Sequence, residues 1–169
     1  YNVAVGYTAL YNSDGTNYNT VVGFRSMYTN TTGDGNTAVG HQTLYSNTIG
    51  IYNVAMGYNA LYNNLSGTRN IGIGYNALYQ NTTGYYNVAI GHTALQNNIT
   101  GYGNIAIGYL SMQQNTTGQY NTAVGHQSMY NTSSGQYNTA VGISSMLYTA
   151  SGNNNVAVGS CLLYTSDAA

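Results

Sequence analysis

Charge is almost missing from this chain. Arg25, Arg69, Asp14, Asp34 and Asp167 are the complete charged set, 3% of 169 residues, where soluble domains carry about a quarter. So neutral a chain has no basic stripe to neutralise phosphates, and nucleic acid is not expected as a partner. Solubility falls instead to Asn, Thr, Ser, Gln and Tyr. No apolar run is long enough to span a bilayer, which argues against membrane insertion, and no cationic-then-apolar start marks a signal peptide. The single cysteine, Cys161, supports no disulfide framework. Catalytic raw material is missing too. No Ser/His/Asp or Cys/His set exists, and Asp14 and Asp34 read as turn residues, so we expect no enzyme, no cofactor and no metal site.

What the chain has is a period. Asparagine returns every 17 residues, at Asn2, Asn19, Asn36, Asn53, Asn70, Asn87, Asn104, Asn121, Asn138 and Asn155. Glycine follows four positions later, at Gly6, Gly23, Gly40, Gly57, Gly74, Gly91, Gly108, Gly125, Gly142 and Gly159. A fixed period across the whole length is the signature of a stacked array. Low charge with abundant Asn and Gly also suits a disordered tract. Against that, hydrophobic residues reach 43% and fall in strict columns, as a packed core requires.

The unit reads approximately YNTAVGYNALYNNTTGQ. Positions three to six, such as Val3 to Gly6 and Ile105 to Gly108, alternate β-branched and small residues and fit a short strand with one face buried. The small fourth and sixth positions, Ala4 and Gly6 and their copies, then form the other face, open to close approach by further chains. The YxALY segment, with Leu or Met in its fourth place (Leu10, Met27, through Leu163), is a second short strand or a single helical turn; the dominance of Asn, Thr and Tyr around it and the lack of a capping pattern favour the strand. A turn such as NTTG closes the unit, with its Gly free to take positive φ. We therefore expect a mainly β fold, a parallel β-solenoid of β-roll type with ten 17-residue coils over 1–160. Stacked at about 4.8 Å, identical residues form columns. The Asn column becomes an amide ladder, and the Gly column meets a backbone demand at a corner. The core is thin, about three or four apolar side chains per coil, each worth about 1.5–3 kcal/mol against about 1–2 kcal/mol of entropy per ordered residue. A symmetric oligomer would supply further burial.

Other residue sets yield to the repeat. His41, His92 and His126 take the slot usually held by Tyr7, Tyr58, Tyr75 or Tyr109, and read as aromatic replacements. A metal cluster would need three copies around a symmetry axis. Sequons at Asn30, Asn64, Asn81, Asn98, Asn115 and Asn131 read as turn-forming Asn in preference to glycosylation acceptors. The 20 tyrosines fall mostly in columns headed by Tyr1, Tyr7 and Tyr11. The run Tyr11, Tyr28, Tyr45, Tyr62 and Tyr79 is the candidate receptor- or glycan-binding face, with core-covering and ring stacking as the plainer alternative. Residues 161–169, CLLYTSDAA, break the pattern and match what one reading frame of a common transposase-type sequencing adapter encodes. A non-native tail on a fragment of a longer protein is expected, although Leu163 and Tyr164 do land on repeat columns.

Units such as NTAVGHQSM (Asn121 to Met129), NVAMGYNAL (Asn53 to Leu61) and NIAIGYLSM (Asn104 to Met112) resemble repeats in phage tail-fibre shafts. They are also similar to the head repeats of trimeric autotransporter adhesins, whose NxVAIG core forms a left-handed parallel β-roll. The adhesin units are usually a few residues shorter, and the chain shows no coiled-coil stalk, membrane anchor or chaperone domain. The resemblance implies a rigid spacer in a tail fibre or at the cell surface, a homotrimer, and a possible receptor or glycan partner. Two rivals remain open: an ice-binding solenoid, with Thr at the third position only at Thr20, Thr37, Thr122 and Thr139, and an extracellular filament assembled end to end through uncapped strand edges.

Overall fold

A computed structural model describes residues 1–162; the segment 163–169, with Leu163 and Tyr164, lies outside them. Ten strands run in chain order, β1 (Val3–Val5), β2 (Thr20–Val22), β3 (Thr37–His41), β4 (Val54–Tyr58), β5 (Ile71–Ile73), β6 (Val88–Ile90), β7 (Ile105–Ile107), β8 (Thr122–Val124), β9 (Thr139–Val141) and β10 (Val156–Val158). They form one parallel sheet in sequential order. Each residue pairs with the one a single repeat away, as in Ala55 with Gly72 and Ile73 with Ile90. The expected parallel β-solenoid is what forms, and every copy lies beside its own kind.

Within each coil the asparagine ties the two ends of the repeat together. Asn53 Nδ2 donates to Gly67 O of its own coil at 2.9 Å, and its Oδ1 accepts from the backbone N–H of Asn70 in the next coil at 2.9 Å. The same pair of bonds recurs along the described ladder, at 2.8 and 3.0 Å for Asn87 and 2.8 and 3.0 Å for Asn104. The side chain thus binds backbone more than its neighbour's amide, a stronger constraint than stacked amides alone.

A second ladder, read in the sequence only as turn-forming Asn, runs beside the first. Asn30, Asn47, Asn64, Asn81, Asn98 and Asn115 are fully buried, and each Nδ2 from Asn47 onward reaches the Oδ1 one coil below at 2.7–2.8 Å. The same Nδ2 groups donate to the turn glycine three residues on, as Asn81 does to Gly84 O at 3.1 Å. Both ladders therefore converge on one carbonyl column, since Gly84 O also accepts from Asn70 Nδ2 at 2.8 Å. The run ends where Thr132 replaces Asn, and Asn115 Oδ1 is left buried without a partner. Five of the six sequons lie in this ladder, so only Asn131 keeps an accessible side chain.

The two glycine columns have different causes. Gly6 and its copies sit at φ between +123° and +140°, and a Cβ there would run into the carbonyl of the next coil's glycine. The turn glycines Gly33, Gly50 and Gly67 do not take the positive φ expected of them. Space selects them: a Cβ would collide with the ladder Asn Oδ1 and the next turn's carbonyl.

The two strand faces are the reverse of expectation. Ala38, Ala55, Ala89, Ala106, Ala123 and Ala140 point inward and are fully buried beneath Leu44, Leu61, Leu78, Leu95, Met112 and Met129. The Val/Ile positions point outward. Bulk is the reason. The 17-residue coil admits one long side chain across its width, and Leu or Met supplies it, so the strand position opposite is Ala in most coils, with Val21 the largest residue there. At Gly72, which holds the Ala slot, an added Cβ would lie 3.2 Å from Leu61 Cγ.

The YxALY segment forms a run of turns and no strand. Its second and fourth residues adopt the left-handed region in coil after coil, for example Asn76 at φ 50° and Leu78 at 53°. A bulky Leu there costs roughly 1–2 kcal/mol. Hydrogen bonds in both directions hold it: Asn76 N donates back to Tyr58 O at 2.9 Å, and Leu78 N forward to Ala94 O at 3.0 Å. Burial of the same Leu offsets the strain. The alternation aims the Leu inward while its backbone still bridges coils, which a regular strand turn or helical turn would not do.

Two substitutions separate these causes. Gly91→Ala, at φ +140°, is expected to cost about 3 kcal/mol or more. Gly72→Ala, at the ordinary Ala slot, is expected to be neutral or to stabilise by up to about 1 kcal/mol. Asn87→Ala strands the buried N–H of Asn104 and should cost about 2–3 kcal/mol. Urea denaturation of the variants reads all three.

Candidate functional site

No cavity opens among the described residues, and no group of three His, Cys, Asp or Glu side chains gathers there as a metal set. Among them no helix is long and apolar enough to cross a membrane. Interaction chemistry therefore lies on open surface, and three surfaces stand out.

The candidate face Tyr11, Tyr28, Tyr45, Tyr62 and Tyr79 is a continuous stack, with ring centroids 4.9–5.3 Å apart. Sequence spacing did bring these rings together. Beyond Tyr11 they are only half exposed, because each ring spends its faces on the rings above and below. What remains for a ligand is a row of edges and hydroxyls. Partial burial first, then the neighbouring Tyr45 and Tyr79, push the Tyr62 phenol above its ordinary value of 10.0, against a smaller opposing effect of Arg25.

A second stack follows the corner glycines: Tyr7, Phe24, His41, Tyr58, Tyr75, His92, Tyr109 and His126. His41 stacks on Phe24 and Tyr58 at 5.0 and 4.7 Å, His92 on Tyr75 and Tyr109 at 4.8 and 5.3 Å, and His126 on Tyr109 at 5.1 Å. The three histidines occupy aromatic slots, as the repeat implied, and no two lie in adjacent coils.

The third surface was missed, because its residues were assigned to the core. The third and fifth positions of every strand face outward, and Val22, Met56, Ile90, Ile105, Ile107 and Val141 are 36–41% exposed even though each is flanked by strands on both sides. Thr20, Thr37, Thr122 and Thr139 are the only hydroxyls on this strip. Ten strands contribute two such residues each, and at about 50 Å² per side chain the strip approaches 1,000 Å², against the roughly 300–600 Å² of the largest apolar patch on a typical monomer. The signal was present in the alternation of large and small residues. Only the sign of the assignment was wrong.

Comparison with known proteins adds no relative: no family model, no curated sequence and no solved structure matches the chain. The tail-fibre and adhesin resemblance thus rests on the repeat units alone.

The Tyr62 phenol provides a check on the stacked column. Its folded pKa is raised, so the stability it contributes is complete below the unfolded value of 10.0 and is lost as pH rises through the folded one. Melting temperature should therefore hold steady up to about pH 9 and fall above pH 10, and Tyr62→Phe should blunt the fall. Thermal melts from about pH 8 to about pH 11 test it.

Proposed function

We propose that this chain is a rigid shaft segment of a fibrous protein, a tail fibre or cell-surface adhesin, in which the Val/Ile strip is closed by further copies of the same chain in a homotrimer. The observation that carries this is the outward strip itself. A flat apolar band of about 1,000 Å² per chain reaches the roughly 800 Å² that each partner gives to a standard stable interface. Its residues repeat with the period of the coil, so a parallel copy meets the same chemistry at every level. Symmetry of that kind favours self-association over any irregular partner. The contact face differs from the Ala4/Gly6 face first expected, because that face is filled by the chain's own Leu and Met. Stiffness follows from lacing every coil to the next by strand bonds and by two amide ladders. A rigid spacer needs that and little else. The tyrosine-bearing flanks remain outside the strip and serve the adhesive side of the reading, contact with a cell-surface receptor or glycan.

Sedimentation equilibrium at micromolar concentration should give three times the chain mass of 18.0 kDa. Replacing Ile73, Ile90 and Ile107 together by Ser should yield a folded monomer with unchanged β circular dichroism. A wild-type monomer would remove the trimer.

The same flat strip keeps an ice-binding reading in view, since an ordered rank of Thr and Val on a parallel sheet can order water. Thr holds only four of its outward positions, which weakens that reading. A thermal-hysteresis assay decides: the shaft reading expects none, and a clear gap between freezing and melting would favour ice.

A further inference from the structure

Arg69 is one of two cations in the chain, and the described carboxylates, Asp14 and Asp34, belong to the first two coils while Arg69 opens the fifth. Asp34 is two ladder steps away, about 10 Å, too far to pair. Tyrosine holds the arginine instead. Its guanidinium carbon lies 5.7 Å from the Tyr52 ring centre and 5.4 Å from that of Tyr86, and Nη1 donates to the Tyr86 hydroxyl at 3.0 Å. Arg69 itself is exposed. A guanidinium fixed by rings and facing solvent presents its other N–H groups, in a planar fork, to an external anion.

Beside it the repeat departs from its own rule. The last position of the unit is polar or aliphatic in the other described coils (Asn17, Asp34, Ile51, Thr68, Gln119, Gln136, Asn153) but is Tyr85 and Tyr102 here. The first position, aromatic in most coils, is Gly103 between Tyr86 and Tyr120, as it is Gly35 between Tyr18 and Tyr52. Gly103 makes room: a Cβ on it would lie 2.8 Å from Tyr120 Cδ1. The result is one connected aromatic run. Tyr86 meets Tyr85 edge-on at 5.6 Å, Tyr85 stacks on Tyr102 at 4.6 Å, Tyr102 meets Tyr120 edge-on at 5.2 Å, and Tyr120 stacks on Tyr137 at 5.3 Å. Edge-on contacts break the parallel stacking here, and Tyr86 and Tyr120 are 53% and 48% exposed. Other coils hold the same fold without these rings, so the fold does not require them.

We infer that Arg69, Tyr86, Tyr85, Tyr102, Tyr120 and Tyr137 form a binding surface for a polysaccharide bearing carboxylated sugars. Open phenol faces stack on the C–H faces of pyranose rings, and phenol hydroxyls match sugar hydroxyls. Arg69 takes a carboxylate in its fork. From Arg69 to Tyr137 is four ladder steps, about 19 Å, the length of a short oligosaccharide. With no second cation on the run, the surface favours a sparsely charged chain over a polyanion. This deepens the adhesive part of the proposed function, and it moves the site from the Tyr11–Tyr79 column to the residues that lead into the strands.

The test is calorimetric titration of the whole chain with a short oligogalacturonate methyl-esterified at all but one of its sugars and with the fully esterified, uncharged form. The wild type should prefer the acid. Arg69→Gln should weaken the acid by about tenfold or more and leave the ester unchanged. Tyr86→Ala with Tyr120→Ala should weaken both, while Arg25→Gln should alter neither. Failure of the wild type to bind either form, equal binding by Arg69→Gln, or an equal loss in Arg25→Gln would overturn the site. Sedimentation of the same samples keeps the two proposals apart: a monomer that binds with this pattern removes the trimer and keeps the site, and a trimer that does not bind does the reverse.

Discussion

In six successive coils, from Gly33 to Gly118, one backbone carbonyl, that of the turn glycine, accepts from both asparagine ladders at once, and the path of those coils depends on it. Gly50 O takes Asn36 Nδ2 at 2.9 Å and Asn47 Nδ2 at 3.0 Å; Gly101 O takes Asn87 and Asn98 at 2.8 and 3.0 Å. The first of these closes the coil, joining its second residue to its sixteenth. The second anchors the turn. Each ladder then passes to the neighbouring coil, by Oδ1 to a backbone N–H in one case and by Nδ2 to Oδ1 in the other. All of this is buried, where an unmet donor costs about 1–3 kcal/mol. The spacing of two asparagines and one glycine therefore leaves little freedom in the path between them.

The other features follow from closing a coil in so few residues. Only one long side chain fits inside, so Leu or Met is met across the coil by Ala, Gly or, once, Val21, and serines beside it bond the wall, as Ser128 Oγ does to Ala140 O at 3.0 Å. To aim that Leu or Met inward while keeping its amide paired, the chain accepts left-handed φ at non-glycine residues. The β-branched residues are left outside. A core this narrow makes an incomplete globule, and the displaced apolar residues gather in the strip that self-association would cover.

Aromatic residues on the outside divide by what their neighbours leave them. In the Tyr11 column and the corner column all but the end rings are held between two neighbours. Around Arg69 and Gly103 the column is broken by edge-on contacts, and tyrosine rings hold the guanidinium.

Much of this was legible in the sequence. Because the repeat length never changes, strands had to lie in register, and the Asn2 to Asn155 ladder, the corner glycines, the parallel solenoid and the histidines as aromatic stand-ins could all be read from spacing. Alternation shows that a strand has two unlike faces, but not which one is inside. That depends on what arrives from the far wall of the coil, a tertiary fact set by the Leu and Met side chains. For the same reason the second asparagine ladder looked like an ordinary turn until Gly33 and its copies were placed against it. The left-handed Leu positions were equally hidden, since nothing local favours them and only bonds to two neighbouring coils make them hold.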